Sequence, residues 1–144
     1  MYKVMLFLHV VGAVGMGIYA ILPFIAGKFK QLSGAAQEGF ASGLVSAGRL
    51  GQYALVLQLL TGGYLMSNSD AKDYAVSWMI TVGVIFIALG ALTGIIQGPL
   101  KRIVVASANA QSASSSIGKV QTISAIVFIL FLVEIWFMTN PWLK

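Results

Sequence analysis

Four long apolar runs, each close to the length needed to cross a bilayer, leave this chain few residues from which to build anything else. They occupy about 4–27, 43–66, 75–98 and 120–139. Roughly 20 such residues, rising ~1.5 Å each, cover a ~30 Å hydrocarbon core. In a single segment only a helix satisfies its own backbone polar groups there. The expected fold is therefore all-α: a single domain, residues 1–144, of four transmembrane helices in an up-down bundle. Composition agrees, since 58% of the residues are hydrophobic and 9% charged, outside the range of an ordinary soluble domain.

The first run follows Lys3, as the apolar part of a signal peptide does. It is longer than a usual signal core, however, and shows no small-x-small cleavage site at its end, before Lys28 and Lys30, so it reads as an uncleaved span. The second run carries Arg49, Gln52 and Gln58 and is the least lipid-like of the four. Ser67–Asp73 reads as a tight hairpin turn. The third run closes at Pro99, with Lys101 and Arg102 just beyond. Ile103–Gly118 is rich in serine and alanine and too polar to span; it reads as a partly helical connector, with disorder as the alternative. Trp78, Trp136 and Trp142 fall near span ends, as interfacial aromatics do.

The net charge of +5 comes from basic residues scattered at the ends of apolar runs, not clustered on one face or interleaved with aromatics. That pattern excludes nucleic acid as a partner and points to the lipid bilayer. The loops after spans one and three carry Lys28, Lys30, Lys101, Arg102 and Lys119, against Lys3, Lys72 and Lys144 on the other side. The excess predicts a multi-pass membrane protein with both termini outside, in the plasma membrane if the chain is bacterial. The absence of cysteine excludes disulfides, thiolate metal sites and cysteine-linked haem. No phosphate loop, zinc motif or nucleophile elbow supports a nucleotide enzyme or hydrolase.

Helices in lipid associate through close packing, which small residues permit. Gly39, Gly43, Ala47 and Gly51 recur every four residues into span two, and Gly90, Gly94 and Gly98 do so in span three; span one adds Gly12, Gly15 and Gly17. These ridges predict helix packing within the bundle, with a homodimer interface as the alternative.

Polar residues inside the runs fall into two layers by distance from their own span ends. His9, Gln58 and Glu134 share an outer layer. Arg49 lies in an inner one, with Gln52 and Tyr53 on its face and Gln97 at similar depth, so an ion pair between Arg49 and Glu134 is not expected. Arg49 either snorkels to the interface or has a functional role. His9, the sole histidine, shares its helical face with Gly12, Ala13 and Met16. That small surface leaves room for a porphyrin edge, with His9 as axial ligand of haem iron and Gly12, Met16, Gln58 and Glu134 around the cofactor. Met5 and Met16 offer sulfur, which makes copper the weaker alternative. A hydrogen-bonded structural histidine, or a proton relay with Glu134, stays open beside both.

The opening LHVVGAVGMGIYAILP, RLGQYALVLQLLTGGYLM of span two, QGPLKRI after span three and the closing WFMTNP resemble an uncharacterised family of predicted four-helix integral membrane proteins. That family is similar in layout to HemJ-like protoporphyrinogen oxidase and CopD-like membrane domains. The resemblance implies a helical bundle whose first-span histidine, here His9, faces inward and binds haem b. HemJ-like proteins carry a lysine-proline near the end where this chain has Asn140 before Pro141, so oxidase activity is not carried over. Three functions follow as expectations: haem b binding for redox chemistry, haem handling or sensing; a small accessory subunit of a larger membrane complex; and an ion or small-solute transporter using Arg49, Gln52 and Glu134. No inverted repeat or broken helix is visible to strengthen the last.

Overall fold

The computed structural model describes residues 1–68 and 73–143. Lys72, Lys144, Asp70 and most of the expected Ser67–Asp73 hairpin lie outside the described residues. The chain is helical: α1 (Tyr2–Gly15), α2 (Ile18–Ala26), a 3-10 turn (Gly27–Gln31), α3 (Gly34–Asn68), α4 (Val76–Ile95), α5 (Gln97–Ala108) and α6 (Ser114–Thr139). Among the described residues, three helical units are long and apolar enough to cross a membrane: Tyr2–Gln31, Val76–Ala108 and Ser114–Thr139. α3, at 35 residues, is the longest helix but falls short of that apolarity.

Several boundaries differ from the sequence expectation. The first run is not one helix; it breaks at Met16–Gly17, where the Gly17 N–H bonds back three residues to the Val14 carbonyl at 2.9 Å. A Cβ on Gly17 would lie 2.8 Å from that carbonyl oxygen, and Pro23 in α2 has no N–H to offer the preceding turn. The second helix begins at Gly34, well before residue 43. The third continues through a slight discontinuity at Ile96 into α5, since a proline in the third position of a helix's first turn removes only an N–H that has no helical partner. The connector Ile103–Gly118 is thus mostly helix, and α6 starts at Ser114.

The α5–α6 turn is a Schellman-type stop. Gln111 N–H donates to the Ala106 carbonyl at 2.8 Å and Ala110 N–H to that of Ser107 at 3.4 Å, with Ala110 in the left-handed region at φ 54°.

α1 and α3 run antiparallel in a fixed register. His9 meets Thr61 and Gly62, Gly12 meets Gln58, Gly15 meets Ala54, and Gly51 meets Ile18 and Tyr19 beyond the break. The terminal end of the bundle is closed by Ala75 N–H bonding the Trp142 carbonyl at 2.8 Å and by Trp78 Nε1 donating to the Phe137 carbonyl at 2.8 Å. Trp78 is therefore buried in the α4–α6 contact and is not an interfacial anchor; Trp136 and Trp142 are exposed. At the opposite, basal end, α3 packs against α5 and α2 against α6. A basal core of Leu22, Ala26, Phe29, Leu44, Leu100 and Ile103 gathers there, and a central core of Met16, Tyr19, Leu89, Val127 and Phe131 lies above it. Gln37 ties the basal end together: its Nε2 donates to the Phe29 and Leu32 carbonyls at 3.2 and 3.1 Å, and Ser107 Oγ donates to its Oε1 at 2.8 Å.

Candidate functional site

His9 is carried on α1 by ordinary helix geometry and reaches α3 at Thr61, Oγ1 lying 2.9 Å from Nδ1. The Thr61 hydroxyl donates to the Leu57 carbonyl at 2.7 Å, so its oxygen accepts from His9 Nδ1–H. The imidazole is thereby held with its free lone pair on Nε2, the tautomer a metal-bound histidine also uses. From sequence Thr61 enters only with Gly62 in the span-two motif that carries the resemblance, not as a partner of His9, although it sits three residues from Gln58 on the same face.

The donor chemistry of His9 suits haem iron, but the space does not. The small surface of α1 is filled by α3: a Cβ on Gly12 would meet Gln58 Oε1 at 2.8 Å, one on Gly15 would meet the Ala54 Cβ at 2.7 Å, and Gly62 makes room for the His9 ring itself, whose Cε1 stands 3.2 Å from where its Cβ would be. The slot expected for a porphyrin edge is a helix–helix contact. Met16 is packed into the central apolar core, roughly 10 Å along the helix from His9, which does not make a copper site of the pair. No group of three or more His, Asp or Glu side chains among the described residues is close enough to hold a metal ion.

Of the expected outer layer, the structure joins His9 and Gln58 through α3. Glu134 projects from α6, which pairs with α4 in this half of the bundle. Its side chain is only 6% exposed, and both carboxylate oxygens are buried without a hydrogen-bond partner. The Gln58 Oε1 is likewise buried and unpartnered.

A second polar group lies deeper. Tyr19 donates its hydroxyl to the Gly48 carbonyl at 3.1 Å, Gln52 Nε2 donates to the Thr93 carbonyl at 3.5 Å, and Thr93 Oγ1 donates to that of Gly90 at 3.1 Å. Gln97, 7% exposed, lays its amide over Gly48 with neither polar atom paired. Arg49, next to Gly48 in sequence, points the other way and is exposed, which suits the snorkelling reading. Tyr19, Gly48 and Thr93 were not foreseen, because nothing in one helix reveals which turn of another it faces.

Among the packing glycines, Gly51 would place a built Cβ 2.7 Å from the Tyr19 ring, as close as Gly15 comes to Ala54. Gly90, Gly94 and Gly98 have only ordinary contacts, and Gly43 faces open space. Gly43 is thus not an intramolecular packing residue; the tight positions are Gly12, Gly15, Gly48 and Gly51. A cavity of about 720 Å³ opens at the basal end beside Lys30, Gln37, Ser107 and Gln121; His9, Gln58 and Glu134 do not line it. No family model matches the chain, and no curated protein or solved structure matches it significantly.

Proposed function

We propose that the protein is a four-span membrane bundle that conducts protons, with the Glu134 carboxyl group as the site that takes up and releases them. One observation carries this reading: a carboxyl group inside an apolar bundle with both oxygens buried and no protein partner. An unpaired carboxylate in such surroundings is costly, so the group holds a proton or a cation. α4, packed against it, contributes no titratable side chain, and a proton needs no further ligands. An acid held for a partner subunit would face outward, and Glu134 faces inward, which favours this reading over an accessory role. Gln58 and, deeper, Tyr19, Gln52, Thr93 and Gln97 are polar side chains between that level and the basal end. α3 serves as the fourth span, because its middle is packed and bonded to the middle of the first; the termini lie outside by the lysine and arginine count.

The test is proton uptake by proteoliposomes driven by a potassium gradient and valinomycin, read by an internal pH dye. Wild-type protein should acidify the lumen, Glu134→Gln should fall to the rate of empty vesicles, and Glu134→Asp should retain part of the flux. Wild-type flux no faster than empty vesicles, or flux indifferent to Glu134→Gln, overturns the proposal.

A second reading, haem b on His9, rests on the orientation of that imidazole alone and requires α1 and α3 to part. A Soret band in the purified protein that disappears in His9→Ala would establish it over the first; colourless protein after haem-replete expression would end it.

A further inference from the structure

Beyond the first turn of α5 the chain carries two adjacent cations, Lys101 and Arg102. They line an open groove of about 460 Å³ between α5 and the start of α6, together with Gln111, Ser112 and Ser116. Among the described residues no acid lines this groove, and of the described acids, Glu38, Asp73 and Glu134, Glu38 alone lies toward the basal end. The Arg102 side chain does not extend away from the bundle. Its Nη2 lies 3.9 Å from the point where a Gly98 Cβ would be, so the guanidinium folds back over the preceding turn, toward the apolar half of α4–α5. Helical side chains lean in this direction by default, and the missing side chain at Gly98 leaves the surface free for it.

The level is also informative. α5 continues a span whose apolar part ends near Ile95, so a guanidinium over Gly98 stands where hydrocarbon gives way to headgroups. A planar fork of donors beside Gly98, a flexible ammonium from the neighbouring residue and hydroxyl and amide groups across the groove match the oxygens of a phosphate. Basic pockets between helices at this depth are suited to anionic headgroups. We propose that the α5–α6 groove is a binding site for a phosphate group, supplied by an anionic phospholipid and held by Arg102 and Lys101.

The experiment uses full-length protein in nanodiscs of phosphatidylcholine alone or with phosphatidylglycerol, reading thermal unfolding and the lipid retained on mild extraction by native mass spectrometry. Phosphatidylglycerol should raise the unfolding temperature and be retained. Lys101→Gln/Arg102→Gln should weaken that retention about 30-fold, the value of two interfacial cations, whereas Lys28→Gln/Lys119→Gln, with the same change in net charge, should leave it nearly intact. Gly98→Leu, which alters no charge but occupies the place of the folded-back guanidinium, should also weaken it. Inorganic phosphate added to phosphatidylcholine discs separates the sources: stabilisation by phosphate that the Lys101/Arg102 pair abolishes supports the site and makes the ligand a free anion. Equal losses in both double variants, or retention unchanged by Lys101→Gln/Arg102→Gln, overturns the proposal in favour of diffuse attraction.

Discussion

The α1–α3 register makes a sharp prediction at Gly15. A Cβ placed there would stand 2.7 Å from the Cβ of Ala54, whereas carbon atoms in contact prefer ~3.5–4.0 Å. Neither atom can rotate away, because a Cβ is fixed by its backbone. Gly15→Ala therefore requires the two helices to part by close to ~1 Å at this point. The contacts on either side resist this: Gly12 lies against Gln58 and the Ala54 carbonyl, and Gly51 against the Tyr19 ring. Such overpacking costs about 1–3 kcal/mol, while replacing a helical glycine by alanine returns about 0.5–1 kcal/mol. Gly15→Ala alone should then be destabilising by anything up to about 2.5 kcal/mol.

Ala54→Gly alone should cost about 1 kcal/mol through helix propensity. In the double variant the methyl group has changed sides, so the collision is gone and the two propensity effects nearly cancel. The double variant should be close to wild type, with a coupling of about 1–3 kcal/mol between the two positions. Equilibrium unfolding in mixed detergent micelles, followed by tryptophan fluorescence, measures all four corners of the cycle. If the two substitutions add within about 0.5 kcal/mol, the helices do not meet at these residues and the register is wrong.

Two other substitutions probe the basal end. Ala110→Gly should stabilise the protein by about 1 kcal/mol, because φ 54° strains any residue with a Cβ and glycine is the usual occupant of this helix-stop position; a lower unfolding temperature would contradict the turn geometry. Gln37→Leu should cost about 2 kcal/mol by stranding the buried Ser107 hydroxyl and two backbone carbonyls, and should speed amide exchange in the first turns of α3. Unchanged exchange there would show that Gln37 does not hold α3 to the 3-10 turn and α5.

The apolar runs were legible because length and hydropathy are properties of one segment. The start of α3 was not. Gln31–Ser42 is small and polar and reads as a loop, and what makes most of it helical is the packing of Ala41 and Leu44 into the basal core and the bonds of Gln37 to other elements. Pro99 gave a false stop for the same reason, since its position in the first turn of α5 is visible only once the break at Ile96 is known. His9, Gln58 and Glu134 were legible as polar residues at similar depth. That His9 is tied to Thr61, and that Glu134 has no partner, depends on which faces meet.

The glycine ridges show why this information is absent from a single helix. At 100° per residue a step of four advances 40° around the axis, so Gly39, Gly43 and Gly51 drift apart and cannot all face one neighbour. Gly43 meets nothing, whereas Gly48, Gly51, Ala54, Gln58 and Thr61, spaced by three and four, keep to the side facing α1, α2 and α5. The row that packs ends in the threonine that orients His9, so the glycines and the histidine belong to one interface. Space beside the imidazole exists to let α3 approach, and the polar group left without a partner in the C-terminal half of α6 is Glu134. The two residues expected at one depth therefore part in the structure: His9 is bonded to Thr61, whereas both Glu134 oxygens are buried without a hydrogen-bond partner, and it is on the second of these that the proposed proton exchange rests.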